Sequence, residues 1–151
     1  MKIVQKVYIE TSCHATEEED KVKQAMLNLL PDDYRESFRE KIYTDLLHGF
    51  YGNPILLLKL PVDTPEVAQK CFKHILTGMG ESEFEYILST IDIRYDGKGN
   101  VYLRLNKQSA YLEKIILDEE SDDIVKLKVT LYPHIRREED IVQSLKRLHS
   151  K

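Results

Sequence analysis

The sequence predicts an α+β fold in which helices cover one face of a mainly antiparallel sheet. Three observations support this prediction. Several segments alternate apolar with polar residues and are joined by short turns, as in β-hairpins. Other segments repeat apolar residues at intervals of three and four, as amphipathic helices do. Finally, 151 residues with 42% hydrophobic and 32% charged side chains are typical of one globular domain, and we assign residues 1–151 to it.

The first half of the chain contains three predicted strands and one helix. Residues 3–11 are rich in β-branched and aromatic side chains and alternate in polarity, which predicts a strand. Thr16 precedes four acidic residues, which predicts the cap of a helix that Pro31 closes. Residues 37–48 fit either a helix or a strand. We favour the strand, because a glycine-rich turn leads from it into another strand over 55–60.

The second half of the chain contains three predicted helices and four strands. Thr64 and Pro65 have the character of a cap and a first helical residue, and Ser82 is expected to cap a shorter helix that follows. Since hairpins dominate, we expect the helices on one face of the sheet and an open face for binding. The predicted strands cover 91–95, 101–105, 115–117 and 124–131, with a helical turn at 107–112 and a terminal helix at 138–149.

The distribution of charge and hydrophobicity excludes some classes of protein. The net charge is −4 and the pI about 5.8, so a uniformly basic nucleic-acid coat is excluded. Residues 121–151 nevertheless contain more basic than acidic groups, while residues 1–33 show the reverse. The longest apolar run, residues 55–58, is far shorter than the roughly 20 residues of a membrane helix. We therefore predict no membrane segment, no signal peptide and a cytoplasmic location.

Three motifs together resemble a known family. They are VYIETSCHAT at 7–16, HGFYGNPI at 48–55 and YLRLNKQSAYL at 102–112. In this order they resemble an archaeal family described as RNA-binding and predicted to be an exosome-associated subunit. The resemblance implies a fold similar to that of the ribosomal protein that binds five-S RNA. It also implies a partner RNA and an accessory role in an RNA-processing or ribosome-associated protein complex.

The chain departs from that family at three positions. Tyr51 stands where relatives often have a second histidine before the glycine of the GNP motif. Asn106 stands where they often have aspartate, and Glu113 where they often have glycine. A role that needs a carboxylate at position 106 is therefore not expected here.

The segment after the strand at 101–105 holds the first group of candidate RNA-binding residues. We expect Arg104 and Lys107 to contact phosphates from an exposed turn, and Gln108 to contact a sugar or a base edge. Tyr102 lies two residues before Arg104 and shares its strand face, and aromatic and basic faces suit single-stranded RNA. A solvated strand end is the alternative for the cations, and a place in the core is the alternative for Tyr102.

Three more cations extend this prediction. Lys126 and Lys128 alternate with apolar residues, so they belong to the wet face of a half-buried strand. If that strand lies beside the one that carries Arg104, the lysines enlarge the same basic patch. Arg94 is expected on the partner strand of the predicted hairpin.

The HGFYGNPI motif holds the second group. Its glycines predict a tight turn, and a purely structural hairpin is the first interpretation. The functional interpretation is a loop that approaches a phosphate. There the backbone of the turn that contains Asn53 would face the phosphate, and His48 and Tyr51 would add a hydrogen bond and a ring for stacking.

Nothing in the sequence indicates a catalytic residue, a cofactor or a metal. The five histidines show no metal-binding spacing, and Cys13 and His14 are adjacent, so on a strand they point to opposite faces. We therefore predict a non-catalytic protein. Two alternatives stay open: a protein–protein interaction module, including a homodimer, and a small enzyme that acts on a phosphorylated ligand at the GNP turn.

Overall fold

Five strands form one sheet in the computed structural model, which describes residues 2–49 and 51–150. Their order across the sheet is β2-β3-β1-β5-β4, and every neighbouring pair is antiparallel. The predicted antiparallel α+β architecture is confirmed. The strands are β1 (Val4–His14), β2 (Tyr43–His48), β3 (Pro54–Val62), β4 (Asn100–Asn106) and β5 (Ile124–Leu131).

The described residues also form seven helices. α1 and α3 pack against β1, and α7 packs against α3, so the main helices lie on one face of the sheet as predicted. Within the described ranges, no helix has both the length and the apolar character that a membrane crossing needs. The helices are α1 (Glu19–Leu27), α2 (Asp32–Arg39), α3 (Pro65–Gly78), α4 (Glu81–Ser89), α5 (Ile91–Arg94), α6 (Lys107–Tyr111) and α7 (Glu138–Ser150).

The core lies between the sheet and these helices. On the central strand β1, Val7, Ile9 and Cys13 are buried. The alternating residues Tyr8 and Ser12 are only partly buried. Ile9 pairs with Leu60 on β3 and with Leu127 on β5, and both partners are also buried. Each such side chain contributes about 1.5–3 kcal/mol through its removal from water. Because successive strand residues point to opposite faces, the intervening residues point away from the helices.

The ambiguous segment 37–48 divides into a helix and a strand. The strand prediction is correct for Tyr43–His48 and wrong for residues 37–42. α2 begins after Pro31 with two acidic residues in its first turn, which favour the positive end of the helix dipole. Phe38 and Ile42 are buried four residues apart, a helical interval that carries the chain into β2.

The predicted strand over 91–95 is a short helix instead. The backbone N–H groups of Ile93 and Arg94 both donate to the carbonyl of Thr90. Ile91 and Arg94 are buried while Ile93 is exposed. Buried residues thus recur every third position, as in a helix, and not every second position, as in a strand. Of residues 91–95, Tyr95 pairs with Val101 of β4 in an isolated bridge. The predicted hairpin over 91–105 therefore consists of this bridge and the turn that it closes.

Other local predictions were wrong in detail. Glu18, not Thr16, is the N-cap of α1, and Gly80, not Ser82, is the N-cap of α4. Thr64 does occupy the N-cap of α3, although its side chain makes no capping hydrogen bond. The predicted strand at 115–117 consists of one bridge, from Leu117 to β4.

Candidate nucleic-acid interface

The sheet face turned away from the helices, here called the open face, carries polar and aromatic side chains. They come from alternate residues of four neighbouring strands, which the register brings side by side. Four of them are cations and one is a carboxylate, and Asp45 of β2 pairs with one of the cations, Lys59, at 2.7 Å. The positive part of the open face is therefore formed by the other three cations, although the chain is acidic overall. The side chains of the open face are Tyr8, Glu10, Ser12, Lys59, Tyr102, Arg104, Lys126 and Lys128.

Two cross-strand pairs form the centre of the predicted basic patch. Arg104 lies opposite Lys126, and Tyr102 lies opposite Lys128, between β4 and β5. The strand of the two lysines therefore lies beside the strand of Arg104, which was the condition for one shared patch. The role of the four residues in RNA binding stays a prediction. In the part of the chain that the structure describes, neither lysine joins an ion pair, so both charges are available to a ligand.

The side chain of Tyr102 is 42% exposed, so this residue lies at the surface and not in the core. Its hydroxyl donates to Oδ2 of Asp96 at 3.3 Å. Partial burial and this neighbouring carboxylate raise the pKa of Tyr102. The ring is thereby held at the surface, with a face available for stacking.

Asp96 organises the turn beside that ring. Burial is the largest single influence on its pKa and raises it. The hydrogen bonds from the side chains of Asn100 and Tyr102 and from the backbone N–H groups of Lys98 and Asn100 together outweigh burial. The pKa of Asp96 falls to about 2. The carboxylate is therefore ionised at neutral pH and holds both the turn and the ring of Tyr102.

Arg104 is half-buried at the end of β4. Its Nη2 donates to the carbonyl of Ser121 at 2.8 Å, which anchors the guanidinium above the strand. Its Nε is shielded from water and has no hydrogen-bond partner among the described residues. A buried N–H without a partner costs about 1–3 kcal/mol, so donation from this N–H to a ligand atom would be favourable.

Sequence reasoning missed a second group on the open face. The hydroxyl of Tyr8 donates to Oε1 of Glu10 at 2.8 Å, and burial together with this carboxylate raises the pKa of Tyr8 well above its ordinary value. On the adjoining strands, Nζ of Lys59 lies 2.7 Å from Oδ2 of Asp45 and 5.8 Å from the ring centre of Tyr43. The alternation of polar residues along β1 was the signal that could have found Tyr8.

Lys107 is buried, which corrects the expectation of an exposed phosphate contact. Its side chain is 3% exposed, and its Nζ donates to the carbonyl of Ser12 at 2.8 Å. The same nitrogen lies 3.0 Å from carboxylate oxygens of Glu17 and of Asp123. The reason is the turn from β4 into α6, which directs Lys107 beneath the sheet edge and away from the open face. Lys107 joins β1, the start of α1 and the 118–123 turn, which is a structural role.

Asn106 and Gln108 flank Lys107 and also make local contacts. Asn106 is the N-cap of α6: its Oδ1 accepts from the backbone N–H of Ser109 at 2.8 Å, and its Nδ2 donates to Asp118 at 2.9 Å. Gln108 is exposed, and its Nε2 donates to Asp123 at 3.0 Å. Asn106 therefore shapes the turn, while Gln108 is accessible beside it.

Arg94 is also buried and not on the open face, because it belongs to α5 and not to a strand beside β4. Its Nη2 lies 2.6 Å from Oε1 of Glu119, and its Nε donates to the hydroxyl of Thr90. The guanidinium stacks at 5.6 Å from the ring centre of Tyr86. The expectation that Arg94 extends the patch of Arg104 was wrong.

The HGFYGNPI motif forms the tip of the β2–β3 hairpin. The backbone N–H of Gly49 donates to the carbonyl of Asn53, and Gly52 has a φ of +81°, which favours glycine. His48, Tyr51 and Asn53 are exposed there, while Phe50 lies outside the described residues. The structural interpretation of the motif as a hairpin is confirmed.

The hairpin does not join the basic patch. Two strands, β1 and β5, stand between β3 and β4, a separation of about 14 Å at ordinary strand spacing. The structure thus brings Arg104, Lys126 and Lys128 together and leaves the predicted hairpin residues at the opposite edge. In the described ranges, no group of three or more His, Cys, Asp or Glu side chains is arranged to hold a metal ion.

Comparison with known proteins defines the class of this α+β domain. A family model described as RNA binding matches residues 6–131. The chain belongs to this RNA-binding family.

The chain is also similar to individual archaeal proteins. The chain is 28% identical to an RNA-binding protein of Pyrococcus abyssi over 93% of this chain and 90% of the relative. It is 36% identical to an uncharacterized protein of Methanocaldococcus jannaschii over 75% of this chain and 74% of the relative. The crystal structure of a protein from Archaeoglobus fulgidus superimposes with a TM-score of 0.77 and 28% identity, over 96% of this chain and 99% of that one.

Proposed function

We propose that the protein binds single-stranded RNA through the open face of its sheet and does not catalyse a reaction. The adjacent pairs Arg104–Lys126 and Tyr102–Lys128 carry this proposal. Cations that follow a groove attract the phosphate backbone, and a tyrosine beside them offers a stacking surface to any base. The membership of the chain in an RNA-binding family supports the same conclusion.

The distribution of charge favours one orientation of the RNA. The helices on the other side begin with acidic residues: two in the first turn of α1 and three in the first turn of α7. Because local potential and not net charge attracts a polyanion, a net charge of −4 is compatible with binding at the open face. We expect RNA to avoid the helical side.

Titration of a labelled 12-nucleotide oligouridine by fluorescence anisotropy tests the proposal. The double variant Arg104→Ala/Lys126→Ala is expected to lower affinity by roughly tenfold or more at 100 mM salt. It should also reduce the slope of log affinity against log salt by about 2, since two phosphate contacts are lost.

A matched variant separates the site from general charge effects. Lys73 on α3 and Lys146 on α7 lie on the helical side, and Lys73→Ala/Lys146→Ala removes the same charge there. Its affinity should be close to that of the unchanged protein. Equal losses in both double variants would contradict the proposed face.

The cellular role proposed for this activity is an accessory one in RNA processing, within an exosome- or ribosome-associated complex in the cytoplasm. It rests on the family resemblance and on a surface that offers binding groups without a recognisable catalytic set. Crosslinking in cells followed by sequencing of the bound RNA tests it. Enrichment of processing intermediates or ribosomal RNA supports the role, and a library without enriched RNA contradicts it.

A second candidate function is pairing with another copy of the chain through β2. This strand is at the edge of the sheet, and its Leu46 is 60% exposed and Leu47 48% exposed. In an antiparallel hairpin, hydrogen-bonded and non-hydrogen-bonded residue pairs alternate. Because Gly49 donates to Asn53, the pair that contains Leu46 is a non-hydrogen-bonded one, and the backbone N–H and C=O of Leu46 point to the free edge. A twofold-related β2 would place Leu46 against its own copy and extend the sheet to ten strands.

Light scattering after size-exclusion chromatography tests the second candidate. We expect a dimer for the unchanged protein and a monomer for Leu46→Lys, because a lysine at the contact opposes strand pairing. A monomer of the unchanged protein at 100 μM would contradict it. Unchanged RNA binding by Leu46→Lys would show that the two functions use different surfaces.

The enzyme alternative loses its proposed site. A deep pocket joining His48, Asn53 and Lys107 would have favoured it. Lys107 is instead enclosed by Ser12 and two carboxylates, none of which belongs to the hairpin.

A further inference from the structure

A cavity of about 170 Å³ lies on the open face, between the ends of β1, β4 and β5. Hydrogen-bonding groups dominate its walls, with apolar contact supplied by Leu57 and Ile124. It contains both donors and acceptors, unlike a simple basic groove. The polar side chains that line it are Glu10, Ser12, Arg104, Asp122 and Lys126.

One side of the cavity supplies hydrogen-bond donors. Arg104 is fixed by its bond to the carbonyl of Ser121, and its Nε has no partner in the described part of the chain. Lys126, directly opposite on β5, adds a second cation without an ion-pair partner there. An acceptor that enters beside the guanidinium would satisfy a group that is otherwise shielded from water and unpaired.

The other side supplies acceptors. Glu10 accepts from the hydroxyl of Tyr8 through Oε1, which orients the carboxylate while Oε2 stays available. Asp122 adds an exposed carboxylate at the rim. These two carboxylates offset the charges of Arg104 and Lys126, so the composition of the cavity favours a neutral ligand that both donates and accepts over a phosphate group.

We propose that this cavity holds one nucleobase of the bound RNA and that guanine is the base it prefers, an inference that rests on the proposed RNA binding. In place of the phosphate that it contacts in oligouridine, Arg104 would donate to O6 and N7 of guanine, the pattern that arginine recognises best. The carboxylate of Glu10 would accept from N1–H and the 2-amino group. The two residues belong to strands β1 and β4, two strand spacings or about 10 Å apart, and Lys126 of β5 lies in register between them. The base would therefore lie over the aliphatic stem of Lys126 and contact Glu10 at one edge and Arg104 at the other.

Other bases fit this arrangement less well. Adenine presents an amino donor where guanine presents O6, so it would place two donors against each other at Arg104. Adenine also lacks a proton on N1, which would leave Glu10 facing an acceptor. A pyrimidine is smaller and cannot reach both walls at once.

Anisotropy titrations of four labelled 12-mers test the proposal. Three carry a single central guanosine, adenosine or inosine in oligouridine, and the fourth is oligouridine alone. The guanosine 12-mer should bind roughly 5- to 100-fold more tightly than the adenosine 12-mer. Inosine, which lacks the 2-amino group, should lie between them.

Two variants of the cavity and one control locate the effect. Glu10→Gln and Arg104→Lys should each reduce the guanosine-to-adenosine ratio to less than half its original value, with thermal unfolding confirming that both remain folded. Arg104→Lys keeps the charge but loses the planar fork. Lys128→Gln, on the open face but outside the cavity, should weaken all four 12-mers equally and leave the ratio unchanged.

The outcomes distinguish this inference from the function on which it rests. Equal binding of the guanosine and adenosine 12-mers, with all binding weakened in Lys128→Gln, would overturn the guanine site and leave RNA binding by the open face intact. Binding of none of the 12-mers would overturn both. If both Glu10→Gln and Arg104→Lys keep the guanosine preference, another surface is responsible for it, and the assignment to this cavity is overturned.

Discussion

Arg104 and Lys107 stand three residues apart, yet the fold gives them opposite tasks. Arg104 lies on the open face, and its Nε has no partner within residues 2–49 and 51–150. Lys107 is instead enclosed by Ser12, Glu17 and Asp123. Asn106 makes the difference, because it caps α6 and turns the chain between the two cations. Neighbouring basic residues in a motif therefore need not share a function when an element boundary lies between them.

The largest expected difference between the two cations is in stability. Lys107→Ala should lower the free energy of unfolding by about 2–4 kcal/mol, since it leaves two carboxylates and a buried carbonyl without their partner. Arg104→Ala should change it by less than about 1 kcal/mol, because it removes one hydrogen bond and one unsatisfied group. Urea denaturation followed by circular dichroism measures both. Equal losses of stability in the two variants would contradict a structural role for Lys107 that Arg104 does not share.

The next largest effect concerns the ring beside Arg104. Tyr102→Ala should weaken binding of oligouridine by about 1–3 kcal/mol, the usual contribution of one base stacked on an aromatic side chain. Tyr102→Phe keeps the ring and loses only the bond to Asp96, so its affinity should be nearly unchanged. Anisotropy titration distinguishes the two. A similar loss in both variants would assign the effect to the hydroxyl instead of stacking.

A smaller effect is expected from the lysines opposite these residues. Lys126→Gln/Lys128→Gln should flatten the salt dependence of RNA affinity by about 2 in slope, and stability should change by less than about 0.5 kcal/mol. The measurement is a series of titrations between 50 and 200 mM salt. An unchanged slope would mean that these lysines do not contact phosphates.

The smallest effect belongs to the turn at Asp96. NMR titration should find the pKa of its carboxyl near 2, below the ordinary 3.8. A lowered pKa means that ionised Asp96 stabilises the fold at pH values above about 4, and that this contribution is lost as the pH falls through 2. The contribution is small because the group is mostly exposed. Asp96→Asn should remove this part of the acid sensitivity, and a titration midpoint near 3.8 would contradict the hydrogen-bond network.

Periodicity predicted most of the fold. The alternation in β1 and β5 and the spacing in α3 and α7 led to the antiparallel sheet with helices on one face. The segments that failed were short. The strand prediction over 91–95 failed because so few residues cannot distinguish a period of two from a period of three. Residues 91–94 form a helix that is closed by hydrogen bonds to the carbonyl of Thr90.

The residues of the candidate site were only partly predicted, and the reason differs from the one for the fold. Arg104, Lys126 and Lys128 were found because residues two apart on a strand share a face. Tyr8 and Glu10 were missed because their place beside β5 depends on the order of the strands, which local patterns do not determine. The burial of Lys107 likewise depends on Glu17, which lies 90 residues away in the sequence.

Photo-crosslinking of a 4-thiouridine-labelled 12-mer, followed by mass spectrometry of the attached peptides, tests the central claim most directly. If RNA lies on the open face, crosslinks should concentrate on Tyr8, Tyr102 and the peptides of β4 and β5. Crosslinks concentrated on α3 and α7, or on the β2–β3 hairpin alone, would contradict the account.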